Sequence, residues 1–366
     1  MRKHWIDNLR WVTVLLVLLY HVFYFYNNKG VVGGVGGFGD GPQYQDIVMY
    51  ILYPWFMPLL FILAGISARY ALEKHSPKEW FRSRTRKLLV PSTIGLLFFG
   101  VFIGWFNSMT SHAGDVLAEL PGPVKYFIWV VSGTGPLWFI QDLWLLSLAL
   151  LLVRRLDGKG RFMELCGKIG ISGVILMGAL FWLGHRTLIM EPDPASAEGL
   201  WNLYKPFFYL IPFLMGYFVF SHDAVQEKVG RAWKPLMACA AICGVILIAT
   251  GFGQDNTSPQ YLCSPLNNIY GWLMCLAMMG WFKARFDRTG RFAGYMTRSS
   301  YGIYIVHYLI IVSFGYLMKA HTQMPPVCMY LILTLAVFTL SPLLYEILRR
   351  IPFIRWCVLG ESRRSR

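Results

Sequence analysis

The sequence predicts an all-α, polytopic membrane bundle of about ten transmembrane helices, with both termini in the cytoplasm. Hydrophobic residues make up 56% of the 366 positions and charged residues only 14%, where soluble domains carry about 25% charge. Apolar segments recur along the whole chain and leave no stretch for a separate soluble domain. All but five of the 34 Lys and Arg fall in alternate loops and the two tails, the asymmetry that orients membrane proteins. The five are Lys29, Lys125, Arg186, Lys205 and Lys319, and the acids on the same outer loops leave those loops net negative. The net charge of +15 is therefore a signature of the inner membrane surface. A lipid bilayer is the expected partner, nucleic acid is not, and the oligomeric state is open.

Spans are expected at about 9–27, 46–72, 88–106, 136–153, 169–184, 204–221, 235–252, 262–282, 299–318 and 326–348, forming one integral membrane domain over residues 1–366. The first has a basic start but no small-residue cleavage site after it, so it is a retained span and not a signal peptide. It carries Arg10 and, eleven residues on, His21. Eleven residues turn through roughly 1100°, a net offset of about 20°, and rise about 16 Å. Both side chains are thus expected on one face, Arg10 at the inner surface and His21 near mid-membrane. Ionisable groups at that depth usually mark a substrate or proton pathway. A neutral imidazole there could act as general base on a hydroxyl, or simply fix helix packing.

The loop at 28–45 holds a formal G-x-G-x-x-G at Gly34, Gly36 and Gly39. That motif means a dinucleotide site only within a βαβ unit; between two spans it reads as a flexible outer loop. The second span is interrupted by Tyr53-Pro-Trp-Phe-Met-Pro58, and the third opens on Arg82-Ser-Arg84-Thr-Arg86-Lys87. That cluster is either a topology anchor or a phosphate site, because guanidinium forks bind phosphate oxygens bidentately. Residues 124–132 are too short to span. The fourth span is interrupted near the outer face at Trp138–Phe139, which with Tyr53 through Pro58 is a plausible wall of an acceptor site, and it carries Asp142 about two turns in. An acid there needs a partner or a proton; it could orient His21 or pair elsewhere in the bundle.

The fifth and sixth segments are short, and on the seventh Cys239 and Cys243 share a face without metal-ligand spacing. The seven cysteines read as small buried hydrophobes, and no metal site is expected. The ninth span carries a second intramembrane histidine, His307, which could line the same cavity as His21. His4, His75, His112, His185, His222 and His321 fall in expected loops or tails. Glu346 lies close to Arg349 and Arg350, which an ion pair explains.

Five of these landmarks, in order, resemble the acyltransferase-3 family of bacterial membrane O-acyltransferases. Ile6-Asp-Asn-Leu-Arg10 followed by His21 is similar to the family's first-span pattern, and Pro58 through Ala64-Gly65-Ile66 to its second, with Ala and Ile where the family has Ser and Phe. Arg84-Thr-Arg86-Lys87 running to Pro91, Leu137-Trp138-Phe139, and Ser300 through His307 complete the resemblance. It implies transfer of an acyl group from cytosolic acyl-CoA, a co-substrate with no permanently bound cofactor beside it, to a hydroxyl of an extracytoplasmic carbohydrate or glycolipid. His21 with Arg10 and Asp142 would then be catalytic, Arg84, Arg86 and Lys87 would hold the donor, and Trp138, Phe139 and His307 would face the acceptor. The location implied is the bacterial cytoplasmic membrane. Ser341 through the tail to Gly360 is more similar to the periplasmic-glucan-modifying branch, which makes succinyl a candidate beside acetyl. The rival class is a proton-coupled transporter using His21 and Asp142, against which the absence of internal repeats counts.

Overall fold

The computed structural model describes residues 3–28, 34–39, 41–110, 114–188 and 205–361, and within them there are helices, turns and loops but no strand. Lys29, His112 and all but the first four residues of the loop expected at 185–203 lie outside the described residues. The helices used below are α1 (His4–Phe25), α2 (Phe56–Leu72), α3 (Pro77–Arg84), α4 (Val101–Thr110), α5 (Gly122–Ser132), α6 (Trp138–Leu156) and α7 (Gly178–Leu188). They continue with α8 (Pro206–Phe218), α9 (Asp223–Arg231), α10 (Trp233–Gly251), α11 (Pro265–Arg285), α12 (Arg291–His321), α13 (Pro326–Leu348) and α14 (Pro352–Cys357).

Among the described residues seven helical segments are long and apolar enough to cross a membrane, or eight if one bent pair counts as a span. Three of the ten expected segments are not among these seven, each for a readable reason. The third is split: Thr85–Leu89 and Leu96–Gly100 are π-helical, with a turn between them and α4 after them. Pro91 sits in the break and has no N–H to give to the carbonyl four residues back. The backbone slips to five-residue bonds instead, Val90 N–H to Thr85 O (3.2 Å) and Gly95 N–H to Val90 O (3.0 Å). The sixth segment ends at Phe218 and turns by 103° into the polar helix α9. The eighth, α11, has the length for a span, but Asn267 and Asn268 at its start lower its hydropathy and it is not among the seven. Residues 124–132 lie within α5, an 11-residue helix packed on α4.

The chain gathers into two compact units. One comprises Met1–Thr13, Met49–Phe81 and Leu145–Thr297; the other comprises Val14–Val48, Arg82–Trp144 and Arg298–Arg366.

In the first unit α2 packs along α8, and Gly65 meets Gly216 and the Phe213 carbonyl so closely that a methyl on either glycine would overlap the other helix's backbone. Small residues at such crossings are how membrane helices gain packing without a hydrophobic driving force. Phe61 stacks on Tyr209 at 4.4 Å beside that crossing. The pairs α10–α11 and α9–α11 complete the unit. Lys3 ties the chain start to it, donating to the Tyr70 hydroxyl (2.8 Å), the Gln226 amide oxygen (2.9 Å) and the Asp223 carboxylate.

In the second unit the Tyr26 hydroxyl donates to Gly315 O on α12 at 3.0 Å. The glycine-rich loop is fastened rather than free over its described residues. Lys319 Nζ donates to the carbonyls of Val35 (3.0 Å), Gly36 (2.5 Å) and Gly37 (2.8 Å). Gly36 has φ +82°, a conformation that favours glycine. The pairing expected for Glu346 is present, with Arg349 at 3.1 Å.

Candidate active site

Helix α12 organises the second unit's polar groups. Tyr301, Tyr304 and Tyr308 follow at spacings of three and four, so they line one side of the helix with His307 beside them. Each hydroxyl or ring meets a different neighbour, and together they connect the basic cluster to the histidines.

At one end Tyr301 donates its hydroxyl hydrogen to the Lys87 carbonyl, the group that Pro91 cannot serve. The Lys87 ammonium lies 5.1 Å above the same ring, and Arg84 stands three residues earlier, in the last turn of α3. Arg86 is exposed and has no acidic side chain within ion-pair distance among the described residues. Of the three expected donor-binding side chains, Lys87 therefore lies against this tyrosine. The indole of Trp144 donates to Thr85 Oγ1 (3.1 Å) and the Gln141 amide to Ser92 O (3.0 Å), bracing the broken third segment against the start of α6.

Six residues further along α12, about 9 Å on, His307 is fully buried and its ring centroid lies 5.1 Å from that of His21. His21 Nδ1 is 2.8 Å from Val17 O, one turn back in α1. A carbonyl can only accept, so Nδ1 carries the hydrogen and Nε2 keeps its lone pair. By the same reasoning His307 donates from Nδ1 to Tyr304 O (2.6 Å), and its Nε2 lone pair lies 3.4 Å from the His21 Nδ1–H. That hydrogen is shared between a carbonyl and a second imidazole. Tyr20, Tyr24 and Tyr308 close around the His21 ring at 5.4, 6.1 and 5.4 Å.

The start of α6 reaches the same group of residues. The Tyr304 hydroxyl donates to Pro136 O, and its ring meets that of Phe139 edge-on at 5.9 Å. Phe139 in turn contacts Trp138 at 6.4 Å. The helix begins at Trp138 after a single 3-10 turn, so the break expected at Trp138–Phe139 lies just before them. Asp142, one turn further, is fully buried and neither carboxylate oxygen has a hydrogen-bond partner among the described residues. It orients neither histidine by a hydrogen bond. Arg10 belongs to the first unit, where Asp7 (3.2 Å) and Ser67 Oγ (2.5 Å) hold its guanidinium.

Chemically, an imidazole with its Nδ1–H anchored and Nε2 unprotonated can take a proton at Nε2. Among the described residues no three His, Cys, Asp or Glu side chains cluster as a metal site would require. The tyrosines of α12 escaped the sequence reading because 16% aromatic content hides them among belt and core residues; their spacing beside His307 was the available signal.

Searches of curated proteins and of solved structures return no match to the chain. The family model described as an acyltransferase domain, that of the acyltransferase-3 family, matches residues 3–346. A match of that extent leaves almost none of the described chain outside it, and with several helices long and apolar enough to span a membrane, the chain belongs to the acyltransferase-3 family and is a membrane acyltransferase.

Proposed function

We propose that the protein transfers an acyl group, acetyl or succinyl, from cytosolic acyl-CoA to a hydroxyl of an extracytoplasmic carbohydrate or glycolipid, at the bacterial cytoplasmic membrane. The observation that carries this is the available Nε2 lone pair of His21 beside the His307 ring. In the proposed step Nε2 removes the acceptor hydroxyl's proton as its oxygen attacks the thioester carbonyl. The new C–O bond forms, the C–S bond breaks, and the departing thiolate takes the proton back from the imidazolium as free CoA thiol. Arg84, Arg86 and Lys87 would hold the donor's phosphates, since the Lys87 ammonium lies over the Tyr301 ring and Arg86 is exposed without an acidic partner among the described residues. The aromatic side chains of Trp138 and Phe139, adjoining Tyr304, are the proposed wall for the acceptor.

One observation favours a second reading. A fully buried carboxyl without a partner, as at Asp142, is what a proton pathway would use, and a proton-coupled transporter would use it with His21. Detergent-purified protein given radiolabelled acetyl- or succinyl-CoA distinguishes the two. Thiol release and donor binding by wild type, release abolished by His21→Ala, and a raised donor KM in Arg84→Ala are expected. Absence of donor binding together with a proton flux that depends on Asp142 would replace the proposal with the transporter.

A further inference from the structure

The sequence places His185 in a loop, and the outer loops to which Arg186 and Lys205 belong are net negative. The structure places His185 inside α7, 5% exposed, and Lys205, 8% exposed, immediately before α8, one turn ahead of the Phe208 on which the His185 ring stacks. All of the residues concerned belong to the first unit.

Lys205 is the only non-glycine residue with positive φ among the described residues. Its ammonium has three N–H groups but one hydrogen-bond partner among the described residues, the Tyr53 hydroxyl at 3.3 Å, and it lies 5.6 Å from the Tyr53 ring. No carboxylate lies within ion-pair distance of it among the described residues. A buried charge is ordinarily paired, because desolvation is costly. A ring face and a neutral hydroxyl solvate the ammonium in part and leave its charge uncompensated.

The neighbours add to the positive character. Arg186 is exposed, likewise has no acidic partner among the described residues, and follows His185, whose carbonyl accepts from the Cys263 thiol (3.2 Å) and whose ring stacks on Phe208, one turn after Lys205. The α8 N-terminus contributes the positive end of its dipole at the same point. His185 is held in place rather than held as a counter-charge. Its Nδ1–H goes to Asn268 Oδ1 (2.5 Å), its ring stacks on Phe208 at 3.6 Å, and the Asn268 amide is anchored on Leu262 O (2.8 Å) and Ser264 O (2.9 Å).

We propose that Lys205 and Arg186 form a binding site for an oxyanion, a phosphate or carboxylate group, at this end of the first unit. A compact ammonium beside a guanidinium fork suits that chemistry. The group could be carried by a water-soluble molecule or by a phospholipid headgroup, and the site does not depend on the acyl-transfer reading.

The test uses the full chain purified in a neutral detergent and follows thermal unfolding by tryptophan fluorescence at constant ionic strength. Glycerol 1-phosphate is titrated in one arm, and phosphatidylglycerol against an uncharged galactolipid in the other. Saturable stabilisation of the wild type is expected, with affinity at least tenfold weaker in Lys205→Met and severalfold weaker in Arg186→Gln. The second variant alters an exposed side chain and keeps the experiment decisive if the first folds poorly. Stabilisation by the lipid alone assigns the site to a headgroup; stabilisation by glycerol phosphate assigns it to a soluble ligand. No stabilisation of the wild type by either, or equal stabilisation of wild type and both variants, overturns the proposal.

Discussion

His21 gives its Nδ1 hydrogen to a carbonyl of its own helix and shares it with His307, so which nitrogen of His21 can act is decided by its neighbours. When Nε2 takes a proton, the positive ring keeps two acceptors at Nδ1, a neutral counterpart of the carboxylate that supports histidine in hydrolytic triads. Replacing His307 with leucine should therefore lower kcat by about a hundredfold while leaving donor KM near its wild-type value. His307→Gln, which keeps an acceptor oxygen, should recover a large part of that loss. Steady-state kinetics on the three proteins checks both statements; equal kcat in all three would mean that His307 only packs. The eleven-residue spacing made Arg10 and His21 visible in the sequence, and depth in an apolar segment did the same for His307. The sharing of one hydrogen between two imidazoles was not visible, because it depends on the tertiary packing of residues 286 positions apart. His185 was assigned to a loop for the opposite reason. Its helix is short and ends on polar residues, so periodicity gave no warning that Asn268 would bury it.

At the scale of elements, the broken third segment shows a local defect being used. Pro91 removes a donor, the backbone shifts into π turns, and the orphaned Lys87 carbonyl is taken up by Tyr301. The basic cluster is thereby fastened to the helix that carries His307. Tyr301→Phe leaves the carbonyl without that donor, at a cost of about 1 kcal/mol, and should raise donor KM severalfold with a smaller effect on kcat. Thermal denaturation and donor titration of the purified variant measure the two effects. Pro91 lies inside the span expected at 88–106, and neither the break it causes, nor the length of each π turn, nor the 103° turn after Phe218 was legible, because hydropathy windows average over the bends that divide an apolar run.

For the whole molecule, the distribution of Lys and Arg predicts that both termini face the cytoplasm. Cysteine accessibility tests this. In a variant without the native cysteines, Thr322→Cys, exposed before α13, should react with a membrane-impermeant maleimide on intact cells. Lys159→Cys, exposed after α6, should react only once the membrane is opened. The reverse pattern would invert the topology. Composition made the helical membrane class legible at once, because no other class tolerates so few charges over such a length. The division into two compact units was not legible, since nothing in hydropathy tells one apolar helix which others it will pack against.

The three carbonyls gathered on Lys319 form the kind of oxygen cradle that elsewhere strips and holds a dissolved alkali ion. Here the cation is part of the chain. A tethered ammonium has an effective local concentration set by its linker rather than by the medium. Dilution cannot remove it and changes in sodium or potassium cannot readily displace it. The glycine loop therefore keeps its fastening across changes in the salt that surrounds it.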